Sequence, residues 1–174
     1  MHTREKAIVQ IKEFFNSDEQ SLLLTGTHQY RKHDLIIKLI NKYMSNKSIL
    51  IRTSGIKDVQ RLFENPLNYD LRSTKAGKDY YISNNIYNFD SYQTSSTWYK
   101  TKNKYDYAIV YPIDSIEKDD TLKNLFCYKV VEKIFLCSWH RPKKISVFEK
   151  YFQRHVIYDA EEERPDYHQR VLKL

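Results

Sequence analysis

The stretch "LLLTGTHQYRKHDLIIKLI", Leu22 to Ile40, joins two hydrophobic patterns at a glycine. Its first residues form a short continuous apolar run, which is typical of a strand buried on both faces. From Asp34 to Tyr43, apolar residues recur at intervals of three and four, which predicts an amphipathic helix. Gly26 lies between the two patterns and is one of only 3 glycines in the chain. The stretch therefore predicts a strand, a tight turn and a helix in succession.

The rest of the chain repeats this alternation. Further strands are predicted at 48–54, 106–114, 133–139 and 154–159, and further helices at 4–16, 56–65, 121–131, 144–153 and 165–174. Strands alternating with helices predict an α/β fold, a three-layer parallel sheet of about five strands with helices on both faces. The strands at 22–25 and 108–111 are apolar on both faces, so we expect them to be adjacent in the centre of the sheet.

Residues 66–104 interrupt the alternation. Within them, "YYISNNIYNFDSY", 80–92, is rich in β-type residues and predicts a strand or a hairpin. The length of 174 residues and the lack of a linker predict a single domain, 1–174, in which 66–104 is a divergent, insertion-like region.

Charge and hydropathy limit the class of protein. The formal net charge is +7 and the isoelectric point about 9.2, which permits an anionic partner such as nucleic acid. No apolar run approaches the ~20 residues of a membrane span. The first residues, "MHTREKAIVQIKEFF", mix charges with apolar side chains, unlike a secretory signal. We therefore expect a cytoplasmic protein with no membrane partner.

The loop after the first strand has part of the spacing of a phosphate-binding loop, G-x-x-x-x-G-K-[ST]. Gly26 and Lys32 match the first glycine and the lysine. Arg31 replaces the second glycine, and His33 replaces the Ser or Thr. Two matching positions leave two interpretations open on this loop alone: a P-loop that lost its chemistry, or an ordinary strand-turn-helix.

The segment "DYAIVYPIDSI", 106–116, resembles the Walker B strand of the AAA+ ATPases. Tyr111 and Pro112 stand where that family has two acids, and Ile113 and Asp114 match.

Two later segments resemble the same family, in the order that it requires. "IFLCSWHRP", 134–142, resembles the sensor 1 strand, with Arg141 and Pro142 matching. "FQRHVIYDAEEERPDYHQRVLKL", 152–174, resembles the fifth strand and the turn into the lid, and the resemblance ends where the lid would begin. The ordered set implies an AAA-type P-loop core without its lid subdomain.

The departures from the family pattern all concern chemistry. A working site needs a glycine-rich loop for the phosphates, a hydroxyl and an Asp for Mg²⁺, and a Glu to polarise water. We therefore expect no catalytic residue, no metal site and no cofactor, with ATP binding possible but doubtful. If nucleotide is bound, the resemblance assigns it to Gly26, Arg31, Lys32 and Asp114.

Basic residues outside this loop form a second candidate site. They are Lys100, Lys102, Lys104, Arg141, Lys143 and Lys144. We expect these residues after strands or just before one. Loops at the carboxyl ends of strands form the ligand-binding edge of an open α/β sheet. A positive edge there would suit nucleic acid or an acidic protein partner.

These observations favour a catalytically inactive AAA-like interaction or structural subunit, acting with an active AAA+ ATPase or a DNA replication protein. Two alternatives stay open. One is a weak or unusual NTP-binding enzyme, and the other is a basic α/β nucleic-acid-binding protein that uses Tyr and Lys between 80 and 104.

Overall fold

The computed structural model describes residues 1–140 and 145–174 as a mixed sheet packed between helices. The strands are β1 Ser21–Thr25, β2 Ser48–Thr53, β3 Tyr80–Ile82, β4 Asn85–Ser91, β5 Lys104–Val110, β6 Val130–Cys137 and β7 Arg154–Ile157. The α-helices are α1 Arg4–Phe15, α2 Lys32–Tyr43, α3 Val59–Leu67, α4 Asp120–Lys123 and α5 Pro165–Leu172. A π-helical turn, Asn124–Tyr128, continues α4, and a 3-10 helix, Ser95–Lys100, lies between β4 and β5.

The strands lie in the order β3-β4-β2-β5-β6-β1-β7. All neighbours are parallel except β3 and β4, which form an antiparallel hairpin. The predicted α/β fold with helices on both faces is confirmed. The strand or hairpin expected within 80–92 is present as a hairpin, at the edge of the sheet beside β2.

Two expectations about the sheet were wrong in detail. The sheet has seven strands rather than about five, because the hairpin from the divergent region adds two to the five predicted. The strands β1 and β5 are not adjacent, because β6 pairs with both of them and separates them. Burial on both faces identifies a central strand, but it carries no information about which strand is its neighbour.

Alternating residues of each strand pack into two hydrophobic layers. In β1, Leu22 and Leu24 lie in the layer covered by α1, α2 and α3, whereas Leu23 lies in the layer covered by α4 and the 3-10 helix Ile145–Phe148. Side chains of a strand point alternately to opposite faces, so a strand covered on both sides reads as a continuous apolar run. Among the residues described, no helix combines the length and the apolar character needed to cross a bilayer.

Candidate functional site: a filled P-loop

The loop between β1 and α2 is pressed against the end of β7. Gly26 has φ +123°, and a Cβ placed on it would lie 2.1 Å from the carbonyl oxygen of Tyr158. The backbone N–H of Tyr158 donates to the carbonyl of Thr25 at 2.8 Å, and that of His28 donates to the carbonyl of Tyr158 at 3.4 Å. Gly26 is therefore required by the close approach of two backbones, independently of any ligand.

The side of the loop that faces α5 is fixed by polar contacts. Asp159 accepts a hydrogen bond from the backbone N–H of Thr27 at 2.9 Å. The Thr27 hydroxyl lies 2.7 Å from Nδ1 of His168 and accepts from the backbone N–H of Ala160 at 2.9 Å. These groups are buried, so the loop is held in one conformation by the protein itself.

Lys32 is fully buried and points back into its own loop. Its ammonium donates to the carbonyl oxygens of Gly26 at 2.7 Å, His28 at 3.2 Å and Trp139 at 3.2 Å. Burial lowers the pKa of Lys32 to about 8, against a smaller opposing effect from the Asp114 carboxylate. All three donor hydrogens of the ammonium are used, so Lys32 serves here as an internal cross-link between β1, the loop and the end of β6.

Stacked rings occupy the two positions that the resemblance to AAA+ ATPases aligns with Mg²⁺ ligands. The centroids of His33 and Tyr111 lie 3.8 Å apart, with 24° between the ring planes. Phe63 of α3 packs edge-on against both rings. Both side chains are buried, and Tyr111 reaches the carbonyl of Gln29 with its hydroxyl. Neither ring offers a carboxylate, and the Tyr111 hydroxyl already donates to the carbonyl of Gln29, so these two residues do not fit a hard divalent cation.

His33 is held in a neutral form by its surroundings. Its Nε2 lies 2.8 Å from the carbonyl of Leu62, which makes Nε2 the protonated nitrogen, and its Nδ1 has no hydrogen-bond partner among the described residues. Burial lowers the pKa of His33 to about 4, although the Leu62 carbonyl partly opposes the shift. A neutral ring can stack tightly on Tyr111 without a buried charge.

Asp114 is exposed and caps the backbone at the end of β6. Its carboxylate accepts hydrogen bonds from the backbone N–H groups of Trp139 and His140. Asp114 thereby ties the turn after β5 to the turn after β6. The position that matches the last Walker B acid has a structural partner in the neighbouring backbone.

Arg31 lies outside the buried loop. Its side chain is 57% exposed and lies 3.4 Å from Asp34, which also pairs with Lys38. A cavity of about 490 Å³ opens beside Arg31 and His33, between α2 and α3, and Arg61 and Arg164 also line it. Gly26, Lys32 and Asp114 are thus brought together at the carboxyl edge of the sheet, while Arg31 points away from them.

The structure describes three of the six basic residues of the second candidate site. Lys100 ends the 3-10 helix after β4, Lys102 pairs with Asp79 at 3.0 Å, and Lys104 begins β5. The chain crosses here from the carboxyl end of β4 to the amino end of β5, so Lys104 lies at the amino end of a strand and not at the carboxyl edge of the sheet. Arg141, Lys143 and Lys144 lie outside the described residues.

Sequence reasoning missed the contacts that fill the loop. His33 and Tyr111 were recognised only as poor metal ligands, and the roles of Thr27 and His168 were not foreseen. A signal for the stack was present, because both positions of one expected Mg²⁺ site carry an aromatic ring. An aromatic ring at both His33 and Tyr111 indicates that these two side chains contact each other.

The buried histidine should make the protein sensitive to acid. Because the folded-state pKa of His33 is depressed to about 4 from 6.5, the unfolded chain binds the proton more readily. Above pH 6.5 the neutral His33 therefore costs the folded state nothing. As the pH falls toward 4, the free energy of unfolding decreases by about 3 kcal/mol in total.

Urea unfolding near neutral pH and at about pH 4.5 measures this loss. His33→Phe keeps a ring on Tyr111 but cannot be protonated, so it should lose about 2.5 kcal/mol less than the wild type over the same interval. Equal losses of unfolding free energy in both proteins would show that His33 does not cause the loss of stability in acid.

The fold agrees with a known class of structure. A large terminase from a thermophilic bacteriophage superimposes on 88% of this chain with a TM-score of 0.62 and 9% sequence identity. This chain spans 45% of the length of that terminase chain. No family model matches the sequence, and no similar curated protein was found. At 9% sequence identity the similarity shows the fold alone. The chain has an α/β fold of the P-loop NTPase type.

Proposed function

We propose that this chain is a P-loop-type subunit that does not hydrolyse nucleotide and that acts by binding a partner. The observation that carries the proposal is the stack of His33 on Tyr111, at the two positions where the resemblance to AAA+ ATPases expects Mg²⁺ ligands. The α/β fold is kept, and Lys32, His33 and Tyr111, which the resemblance aligns with nucleotide and metal ligands, are packed in the interior.

The energetics of the loop support the same proposal. A phosphate could be contacted by Lys32 only if its ammonium left the carbonyls of Gly26, His28 and Trp139. Each buried carbonyl left without a donor costs about 1–3 kcal/mol. A loop that must first be disrupted is a poor phosphate site, since binding energy would be spent on opening it.

The partner that the resemblance suggests is an active ATPase or a DNA replication protein. Inactive AAA-like subunits are structural members of rings or adaptors on an active ATPase, and a chain with net charge +7 would suit such a role beside an acidic surface. Co-purification of the tagged protein from its own host tests this. The expected result is a stoichiometric ATPase or replication protein whose activity changes when this chain is removed.

The filled site predicts that Mg²⁺ does not promote ATP binding. Titration calorimetry with ATP, with and without Mg²⁺, should give the same weak or undetectable binding. Phosphate release should stay at background, because losing metal and water positioning each costs on the order of 10²-fold or more in rate. Any residual Mg²⁺-independent affinity would come from the cavity beside Arg31 and Arg61, and Arg31→Ala should reduce it.

Turnover that requires Mg²⁺ and is lost in Asp114→Asn would contradict the proposal and favour an NTP-hydrolysing enzyme. Lys57→Ala is the control, because Lys57 is exposed and lies outside the loop. Its activity should equal that of the wild type in either case.

A further inference from the structure

We propose that the crossover from β4 to β5 carries a binding surface for single-stranded nucleic acid. The surface, here called the crossover surface, consists of Lys75, Lys78, Tyr99, Lys100, Lys102, Lys104 and Tyr128. It lies away from the P-loop, and the proposal does not depend on whether that loop binds nucleotide.

Two segments of chain bring the lysines together. Gly77 has φ +77°, and a Cβ on it would lie 2.0 Å from the carbonyl oxygen of Lys100, so segment 75–79 packs directly on the end of the 3-10 helix. Segments 75–79 and 98–104 contain five exposed lysines and one acid, Asp79. Asp79 is paired with Lys102 at the surface, where ion pairs are weak and exchange readily with another anion. The surface therefore has an excess of positive charge suited to a phosphate backbone.

Two large aromatic rings stand exposed among these charges. Tyr99 is 85% exposed and Tyr128 is 69% exposed. The ammonium of Lys129 donates to the carbonyls of Trp98 and Lys102, so the backbone next to Tyr128 is joined to the backbone next to Tyr99. Exposed rings beside lysines are the combination on which unpaired bases stack while phosphates are neutralised.

A buried network holds in place the segments that carry both rings. The guanidinium of Arg52 is bidentate to Asp90 and lies 4.6 Å from the ring centroid of Trp98, which precedes Tyr99. The same guanidinium donates to Asn124, the first residue of the π-helical turn that ends at Tyr128. Both tyrosines thus extend from segments fixed to one fully buried ion pair. A pre-ordered surface loses less conformational entropy on binding, which favours affinity.

Single strands are favoured over duplex by this arrangement. Bases in a duplex are stacked on each other, and their faces are not available to Tyr99 or Tyr128. A duplex would use only the lysines, whereas a single strand would use the lysines and the rings together.

The test is fluorescence anisotropy with a labelled oligo(dT) of about 16 nucleotides, and with its duplex and its RNA equivalent, at about 50 and 200 mM salt. We expect the wild type to bind the single strands more tightly than the duplex and to weaken steeply with salt. Tyr99→Ala should lower the single-strand affinity ~5- to 150-fold and leave duplex binding unchanged, whereas Tyr99→Phe should retain the affinity.

The charge contribution is tested with two triple variants of equal charge. Lys100→Ala/Lys102→Ala/Lys104→Ala should weaken binding by about 10-fold or more and flatten the salt dependence by about 2 in slope, at ~0.7 per phosphate contact on a single strand. Lys6→Ala/Lys57→Ala/Lys173→Ala removes three exposed lysines elsewhere and should bind like the wild type.

The two cysteines allow the binding site of the oligonucleotide to be located on the protein. Cys127 is exposed beside Tyr128 and Cys137 is buried, so alkylation of Cys127 should slow when oligo(dT) is bound, with Cys137 as the internal control. The proposal is overturned if no single strand binds, if both triple variants lose affinity equally, or if Tyr99→Ala leaves single-strand binding unchanged. In each of these cases a protein partner is the remaining occupant of the crossover surface.

Discussion

Asp90→Ala should lower the free energy of unfolding by about 3–5 kcal/mol. Arg52 and Asp90 are both fully buried, and the guanidinium meets the carboxylate at 2.8 and 2.7 Å. Removing the carboxylate leaves the charge of Arg52 without its counter-ion in the interior of the protein, which is far more costly than the loss of the contact itself. Urea or thermal unfolding at neutral pH measures the change.

The chain contains a matched control for this experiment. Asp70 and Arg72 form a bidentate pair with the same 2.7 Å shortest contact, but their side chains are 58% and 73% exposed. Because water screens exposed ion pairs, Asp70→Ala should leave stability close to that of the wild type. If Asp70→Ala and Asp90→Ala lowered the free energy of unfolding equally, burial would not increase the cost of breaking the Arg52–Asp90 pair.

Asp90→Ala also tests whether the buried ion pair supports the crossover surface. Arg52 holds Trp98 and Asn124, so an uncompensated Arg52 should release the segments that carry Tyr99 and Tyr128. In any Asp90→Ala protein that stays folded, single-strand binding should fall, although no lysine or tyrosine of the surface has been changed.

The regular part of the fold was accessible from the sequence. The apolar run before Gly26 and the periodic residues from Asp34 to Tyr43 identified β1 and α2 because strand and helix differ in their hydrophobic period. The β-type residues within 80–92 predicted a strand or a hairpin, and a hairpin is present. Strand order was not accessible, since β6 enters between β1 and β5 through contacts distant in the sequence.

The candidate site was less predictable for a physical reason. A motif shows which residue types stand where a ligand would be, but it does not show what they contact when no ligand is needed. The burial of Lys32 and the stack of His33 on Tyr111 depend on the packing of α2 against β5, β6 and α3. The resemblance assigns Lys32 to the nucleotide if one is bound, whereas its ammonium is used internally.

Lys32→Ala should therefore destabilise the protein. The change removes the donors for the carbonyls of Gly26, His28 and Trp139 and leaves a cavity. Each unpaired carbonyl costs about 1–3 kcal/mol, and relief from burying an ammonium offsets part of the sum. We expect a net loss of about 3 kcal/mol, measured by urea unfolding at neutral pH.

Two comparisons separate this structural role from a phosphate-binding role. Arg31→Ala, in the same loop but with an exposed side chain, should leave stability nearly unchanged. The lowered pKa of Lys32 gives the second comparison: its charged form opposes folding below about pH 8, and that penalty is relieved as the pH rises toward 10.5. Across that interval the wild type should gain stability relative to Lys32→Ala. A Lys32→Ala protein as stable as the wild type at both ends of the interval, but with weakened ATP binding, would show that Lys32 is a phosphate ligand.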